Sequence, residues 1–149
     1  MIVMKSGDLL QSDAQALVNT VNCVGVMGKG VALAFKQKFP HNFSEYKKAC
    51  DRKEVVIGRM FVQPHPREPN RWIINFPTKQ HWKDPSQYEW IQLGLLDLME
   101  VLWEKRITSI AMPYLGCGNG GLNWAIVIPM IEKAFDSFKK LEVQIYSRD

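Results

Sequence analysis

Cysteine is scarce in this chain: Cys23, Cys50 and Cys117 are the only three. They form no C-x-x-C pair, and an odd count argues against a disulfide framework. Histidine is equally sparse, and His41, His65 and His81 stand singly without ligand spacing, so neither a metal centre nor any other cofactor is expected. No apolar run approaches the length of a membrane span, and Met1-Ile2-Val3-Met4-Lys5 lacks the charged-then-apolar pattern of a signal peptide. A cytoplasmic protein with no membrane contact is expected. Linker-like and low-complexity stretches are missing too, so the 149 residues, 46% of them hydrophobic, are expected to form one domain over 1–149.

What is present is a strand, a glycine loop and a helix start. Ala16 to Val21 is an apolar run of strand type, the loop after it contains Gly25, Gly28 and Gly30, and Val31, Ala34, Phe35 and Lys38 follow at helical spacing. Glycines let backbone come close to a ligand, and the free N–H groups of a helix's first turn favour negative charge, typically phosphate. Neither common phosphate fingerprint fits this first loop, because Lys29 is followed by Gly30 rather than by Ser or Thr and the glycines are not in G-x-G-x-x-G order. A second copy of the same logic lies downstream. Ser109 to Tyr114 reads as a buried strand, Leu115-Gly116-Cys117-Gly118-Asn119-Gly120-Gly121-Leu122 as a glycine loop, and Asn123 as the cap of a helix from Trp124. In an open α/β sheet, connections leaving the carboxyl ends of strands gather at one edge, so both loops are expected to face one crevice.

The net charge of +4 is spread over small basic groups such as Lys47 with Lys48 and Lys139 with Lys140, which suits a polyanionic partner and equally suits solvated helix faces. Cys23 and Cys117 sit in or beside the glycine loops; with no neighbouring His or Asp to activate a thiol, they read as small half-buried fillers. Asp8, just after the turn that follows a first strand beginning at Ile2-Val3-Met4, reads either as an ordinary turn aspartate or as an acceptor for an amino group at the end of a pocket.

Between the loops, Phe39-Pro40 ends one helix and Asn42 to Cys50 reads as another, with Phe43, Tyr46 and Cys50 on a buried face and no chemistry expected from it. Strands are predicted at Arg59 to Gln63 and Arg71 to Phe76, followed by the proline-bounded loop Pro77 to Pro85. Ser86 is expected to cap the longest helix in a capping box with Glu89, with Ile91, Leu95, Leu98, Leu102 and Trp103 facing the core. The helix from Trp124 contains Pro129, which either kinks it or marks its true first turn, and runs on through Phe135 and Phe138. Glu142 to Tyr146 closes the chain as a strand. Adjacent strands around Pro64 to Asn70 make a mixed sheet the expected arrangement.

Gly7-Asp8-Leu9, Val18-Asn19-Thr20-Val21-Asn22 with its glycine loop, Met112-Pro113 with Gly116-Cys117-Gly118 and Gly121-Leu122, and the closing Ile145-Tyr146 together resemble the macrodomain family of ADP-ribose-binding modules, over essentially the whole chain. The resemblance implies a three-layer α/β/α sandwich around a mixed sheet, with an ADP-ribose crevice along its top. It implies that Asp8, beside Leu9, binds the adenine amino group and that Tyr146 lies near the adenine face. Asn19, the first loop (Gly25, Val26, Met27, Gly28, Lys29, Gly30, Val31) and the second (Pro113, Leu115, Gly116, Cys117, Gly118, Asn119, Gly120, Gly121) would enclose the diphosphate and the far ribose. Asn22 would meet that ribose, where the reaction occurs.

Val21 to Gly30 and Pro77-Thr78-Lys79-Gln80-His81-Trp82 are most similar to the antitoxin class of macrodomains, which removes ADP-ribose from thymidine in DNA. That likeness implies ADP-ribose and ADP-ribosylated single-stranded DNA as ligands, a DNA ADP-ribosyltransferase toxin as cognate partner, and a monomer. Lys79 would be catalytic, as a charge beside the leaving base or as a desolvated amine attacking the anomeric carbon; without the resemblance it reads as a solvated loop lysine. Asn22 would orient the ribose hydroxyls through both its carbonyl and its amide. His81 and Trp82 either flank an extruded base or pin the loop to the core. A related protein-directed class uses an aspartate where this chain has Gly120. The rival readings are a reader module that binds ADP-ribose without turnover, and a hydrolase of ADP-ribosyl esters on protein carboxylates or of acylated or phosphorylated ADP-ribose. Complete antitoxins of this type carry a further domain that restrains the toxin, for which 149 residues leave no room.

Overall fold

Six short strands join edge to edge in the order β1-β6-β5-β2-β4-β3. They are β1 (Ile2–Lys5), β2 (Ala16–Val21), β3 (Phe61–Pro64), β4 (Trp72–Pro77), β5 (Ser109–Pro113) and β6 (Glu142–Tyr146) in a computed structural model that describes residues 1–147. β1, β6, β5, β2 and β4 run parallel. β3 runs antiparallel to β4, with Phe61 opposite Asn75 and Pro64 opposite Trp72, because the connection 65–71 is too short for the crossover that a parallel neighbour needs. The sheet is mixed, as expected.

Alternation along the strands sends side chains to two helical layers. Ala16, Val18, Ile74, Phe76, Ile110 and Met112 pack with α3 (Tyr88–Glu104) and α4 (Trp124–Phe135). Leu17, Ile73 and Ala111 pack on the other face with Phe35 of α1 (Gly30–Lys38) and with Phe39, which leads into α2 (Pro40–Asp51). The result is the three-layer α/β/α sandwich. α3 lies so close to the sheet that a Cβ added at Gly94 would overlap the Phe76 ring.

Four local expectations are corrected. Gln87, not Ser86, is the N-cap of α3 and it makes no side-chain cap bond, while the Ser86 hydroxyl is buried without a partner among the described residues. Trp103 is 75% exposed, because the core-facing stripe of α3 is carried by Ile91, Leu95, Leu98 and Leu102 and the indole falls on the outer face. Pro129 lies inside α4 and does not mark its first turn, and the helix ends at Phe135, before Phe138. Pro40 opens α2, where its missing N–H is harmless, with Phe39 serving as the junction between α1 and α2. Asn123 does cap α4, its side-chain oxygen accepting from the Ala125 N–H at 2.9 Å.

Candidate functional site at the carboxyl edge of the sheet

Parallel pairing aligns the carboxyl ends of five strands, with Lys5 beside Tyr146, Tyr146 beside Pro113, and Val21 beside Pro77. Residues far apart in sequence therefore stand in a row: Asp8 after β1, Tyr146 at the end of β6, the second glycine loop after β5, the first after β2, and Lys79 after β4. Four inter-strand steps of about 4.8 Å separate the ends of that row by roughly 19 Å. A cleft of about 340 Å³ occupies the part of the edge nearer β4. Asn22, Val26, Gly28, Lys29, Gly30 and Val31 line it from one side, Pro113, Gly116, Gly118, Asn119 and Gly120 from the other, with Lys79 and Trp82. Asp8, Leu9, Gly25, His81, Cys117, Gly121 and Tyr146 lie outside this lining, and Asn19, Met27 and Leu115 are fully buried behind it.

The first loop is held in shape by Asn22. Its side-chain oxygen accepts from the N–H groups of Val24 (3.0 Å) and Val26 (3.3 Å), and its amide donates to the Val26 carbonyl at 2.7 Å. Gly25 sits at φ +85°, where an added Cβ would come against the Lys47 and Cys50 side chains of α2. Lys29 is the N-cap of α1 but makes no side-chain cap bond, so the first-turn N–H groups are left to an anion at the cleft.

The second loop is closed by its own backbone, with Leu122 N–H donating to Gly116 at 3.0 Å and Gly121 N–H to Gly118 at 3.2 Å. Ser86 N–H donates to the Gly120 carbonyl at 2.9 Å, tying the start of α3 to the loop. A Cβ at Gly120 would collide with the Gly116 carbonyl oxygen and the Ser86 hydroxyl, so the position has no room for a carboxylate side chain. Tyr114 on the cleft wall stacks on Trp124, ring centroids 3.9 Å apart and planes 11° off parallel. The side-chain amide of Asn119 comes within 3.7 Å of the Cβ position of Gly30, so the two loops meet.

Lys79 is half-buried, and its ammonium donates to the Trp82 carbonyl at 3.2 Å. Burial, and next the Lys29 cation, hold its pKa below the ordinary lysine value, against a smaller opposing pull from Asp84. Trp82 is 46% exposed on the cleft wall; Lys83 sits 5.2 Å from that ring's centroid, and the His81 ring lies 5.4 Å from it. Burial pushes the Cys23 thiol up to about 11, with Cys50 adding to the shift, which suits a filler rather than a nucleophile.

Residues 18–131 match the Macro domain family. The chain belongs to the macrodomain family. A Mycobacterium tuberculosis protein named DNA ADP-ribosyl glycohydrolase is 52% identical to this macrodomain over 147 residues, which are 98% of this chain and 42% of that protein. The solved macrodomain of Mycobacterium tuberculosis DarG superposes with a TM-score of 0.95 at 52% identity, covering 98% of this chain and 97% of that one. Thermosipho africanus DarTG, solved in complex with ADP-ribose, gives a TM-score of 0.88 at 35% identity over 97% of this chain and 41% of that one. A curated Thermosipho africanus protein named a DNA ADP-ribosyl transferase-DNA ADP-ribosyl glycohydrolase fusion protein is 36% identical over 94% of this chain and 40% of that protein. This macrodomain thus spans about two fifths of the curated relatives it matches.

In the macrodomain, helix α2 turns out to serve the site. The Tyr46 hydroxyl, fully buried, lies 2.7 Å from the Asn22 backbone oxygen and 2.9 Å from its side-chain oxygen, so its one proton is shared between them. The Asn22 carboxamide oxygen is thereby occupied by three donors, and the expectation that both its carbonyl and its amide meet a ribose is corrected: one amide N–H remains. Thr20, Val21, Ala32, Thr78 and Tyr114 also line the cleft and were not anticipated. Thr78 stands between two predicted features and was legible in principle; nothing in the sequence links Tyr46 to Asn22. Tyr46→Phe is expected to cost about 1–3 kcal/mol of stability, since it strips a donor from two buried acceptors. It should lower turnover more than ligand affinity; thermal melts with single-turnover assays check this.

Proposed function

We propose that this macrodomain is a metal-independent DNA ADP-ribosyl glycohydrolase. It frees ADP-ribose from thymidine of single-stranded DNA, in the cytoplasm and as a monomer, and so reverses the mark set by a DNA ADP-ribosyltransferase toxin. The observation that carries this reading is Lys79, half-buried in the cleft wall beside Thr78 with its pKa held down by burial and by Lys29. The names of the relatives that match this chain at 52% and 36% identity support the substrate.

In this reading the nucleotide end of ADP-ribose lies toward Asp8 and Tyr146, the diphosphate crosses the free N–H groups of α1, and the far ribose lies by Asn22 and Lys79. The Lys79 amine attacks the anomeric carbon. The carbon–nitrogen bond to thymine breaks, its electron pair stays on the base, and the proton released by the attacking amine passes through water to neutralise that base. Water then displaces the amine, releasing ADP-ribose and restoring Lys79. The crowding at Gly120 weighs against the carboxylate-dependent ester chemistry.

The test offers the protein ADP-ribosylated single-stranded DNA and an ADP-ribosylated carboxylate protein side by side in EDTA. Among the described residues no group of three or more His, Cys, Asp or Glu could hold a metal ion, so release from DNA is expected to persist in the chelator. Release only from protein, or tight ADP-ribose binding with release from neither, overturns the proposal. Asp8 caps the 3-10 turn Leu9–Gln11 with one carboxylate oxygen, which accepts from Leu10 N–H at 3.0 Å, and the other oxygen is left for an amino group. Asp8→Ala is expected to weaken ADP-ribose binding roughly tenfold while changing the chemical step little. Calorimetry that finds the affinity unchanged removes Asp8 from the site.

A further inference from the structure

A second opening lies at the opposite edge of the sheet, by the amino ends of β5 and β6. It has a volume of about 520 Å³, a floor of buried Leu102, Ile107 and Leu141, and a rim of Trp103, Phe138, Arg106, Lys139 and Lys140. No carboxylate lines it, and none of the three rim cations has an ion-pair partner among the described residues. Trp103, at 75% exposure, is the most exposed large hydrophobic side chain of the fold. Phe138 meets it edge-on, 6.4 Å between centroids and 84° between planes, a geometry that steadies the indole without covering both its faces.

An open aromatic face flanked by unpaired cations matches what a single nucleic-acid strand offers, namely bases that stack and phosphates that carry charge. Cations placed after helix ends also complement the helix dipoles, but that role gives no reason for a bare indole among them. We propose that this groove binds single-stranded DNA, stacking a base on Trp103 and seating neighbouring phosphates on Arg106, Lys139 and Lys140. The site is separate from the cleft, needs no ADP-ribose, and does not depend on the chemistry assigned to Lys79. It would give the protein a hold on the strand that carries the modified nucleotide.

The experiment measures fluorescence anisotropy of a labelled, unmodified oligothymidylate of about fifteen nucleotides, matched to typical strand-site sizes. The intact chain is used at low salt, with ADP-ribose added to fill the cleft. Binding is expected to persist in saturating ADP-ribose, to weaken roughly tenfold in Trp103→Ala, and to recover in part in Trp103→Phe. Lys139→Gln and Lys140→Gln should each reduce the slope of log affinity against log salt by about 0.7. ADP-ribose affinity should stay unchanged in all four variants. Absence of oligothymidylate binding, its full displacement by ADP-ribose, or equal binding by Trp103→Ala and by Lys139→Gln with Lys140→Gln combined would each overturn the proposal. So would binding to poly-glutamate or to anionic lipid vesicles in place of the oligonucleotide.

Discussion

Lys79→Ala is expected to slow release of ADP-ribose from ADP-ribosylated DNA by roughly 10³-fold or more, about 4 kcal/mol of transition-state stabilisation, while leaving ADP-ribose affinity nearly unchanged. In the proposed mechanism the amine acts on the reacting carbon only as the bond breaks, so binding and turnover should separate. Lys79→Arg is the sharper variant. Arginine keeps the positive charge but is effectively never deprotonated, so it does not restore an attack by a free amine. The pH profile carries the same logic. Burial and Lys29 lower the Lys79 pKa, so the active free amine gains population as pH rises, and turnover should climb toward a plateau reached below the ordinary lysine range. Borohydride trapping of the ring-opened imine formed by a sugar adduct on Lys79 would report the attack. Wild-type turnover by Lys79→Ala would remove the amine from the mechanism, and an active Lys79→Arg would reduce its part to charge stabilisation.

Gly120→Ala is expected to produce the second largest loss, although it adds a single methyl group. That carbon would strike the Gly116 carbonyl oxygen, which is backbone already bonded to Leu122 N–H, as well as the Ser86 hydroxyl. Backbone held at both ends of a tight loop yields less readily than the tip of a flexible side chain, so the loop itself must move away from the ligand. A stability loss of about 1–3 kcal/mol is expected, with ADP-ribose affinity down about tenfold and turnover down further. Gly120→Asp should be worse on all three counts and should not confer hydrolysis of carboxylate esters. Chemical denaturation, calorimetry and the two-substrate assay read these outcomes. A well-folded Gly120→Asp that bound ADP-ribose normally and cleaved protein esters would show that the loop has slack and that the carboxylate was the only missing part.

Much of this was legible because it is local. The run Ala16 to Val21 followed by Gly25, Gly28 and Gly30 specifies a strand, a tight loop and a helix start within a few residues, and the structure places β2, the loop and α1 there. Asn123 caps α4 because an asparagine before an apolar helix needs only its own backbone neighbours. Ser86 misled for a related reason. Its spacing to Glu89 fits a capping box, but the Gly120 carbonyl takes the Ser86 N–H, and the cap falls one residue later, on Gln87.

The sequence by itself determined the six strands, the two glycine loops, the macrodomain family and the residue types available at the site, since each of these is written in patterns a few residues long. Tertiary structure alone decided the rest. Sheet order, not chain order, sets Lys79 beside Asn22 and leaves Asp8 at the far end of the same edge. The fold brings Tyr46 under Asn22 from 24 positions away, crowds Gly120 against Ser86, and turns Trp103 outward beside Phe138. These contacts join segments whose meeting depends on the packing of the whole sheet and its two helical layers, and short-range patterning carries no record of which distant side chain will arrive.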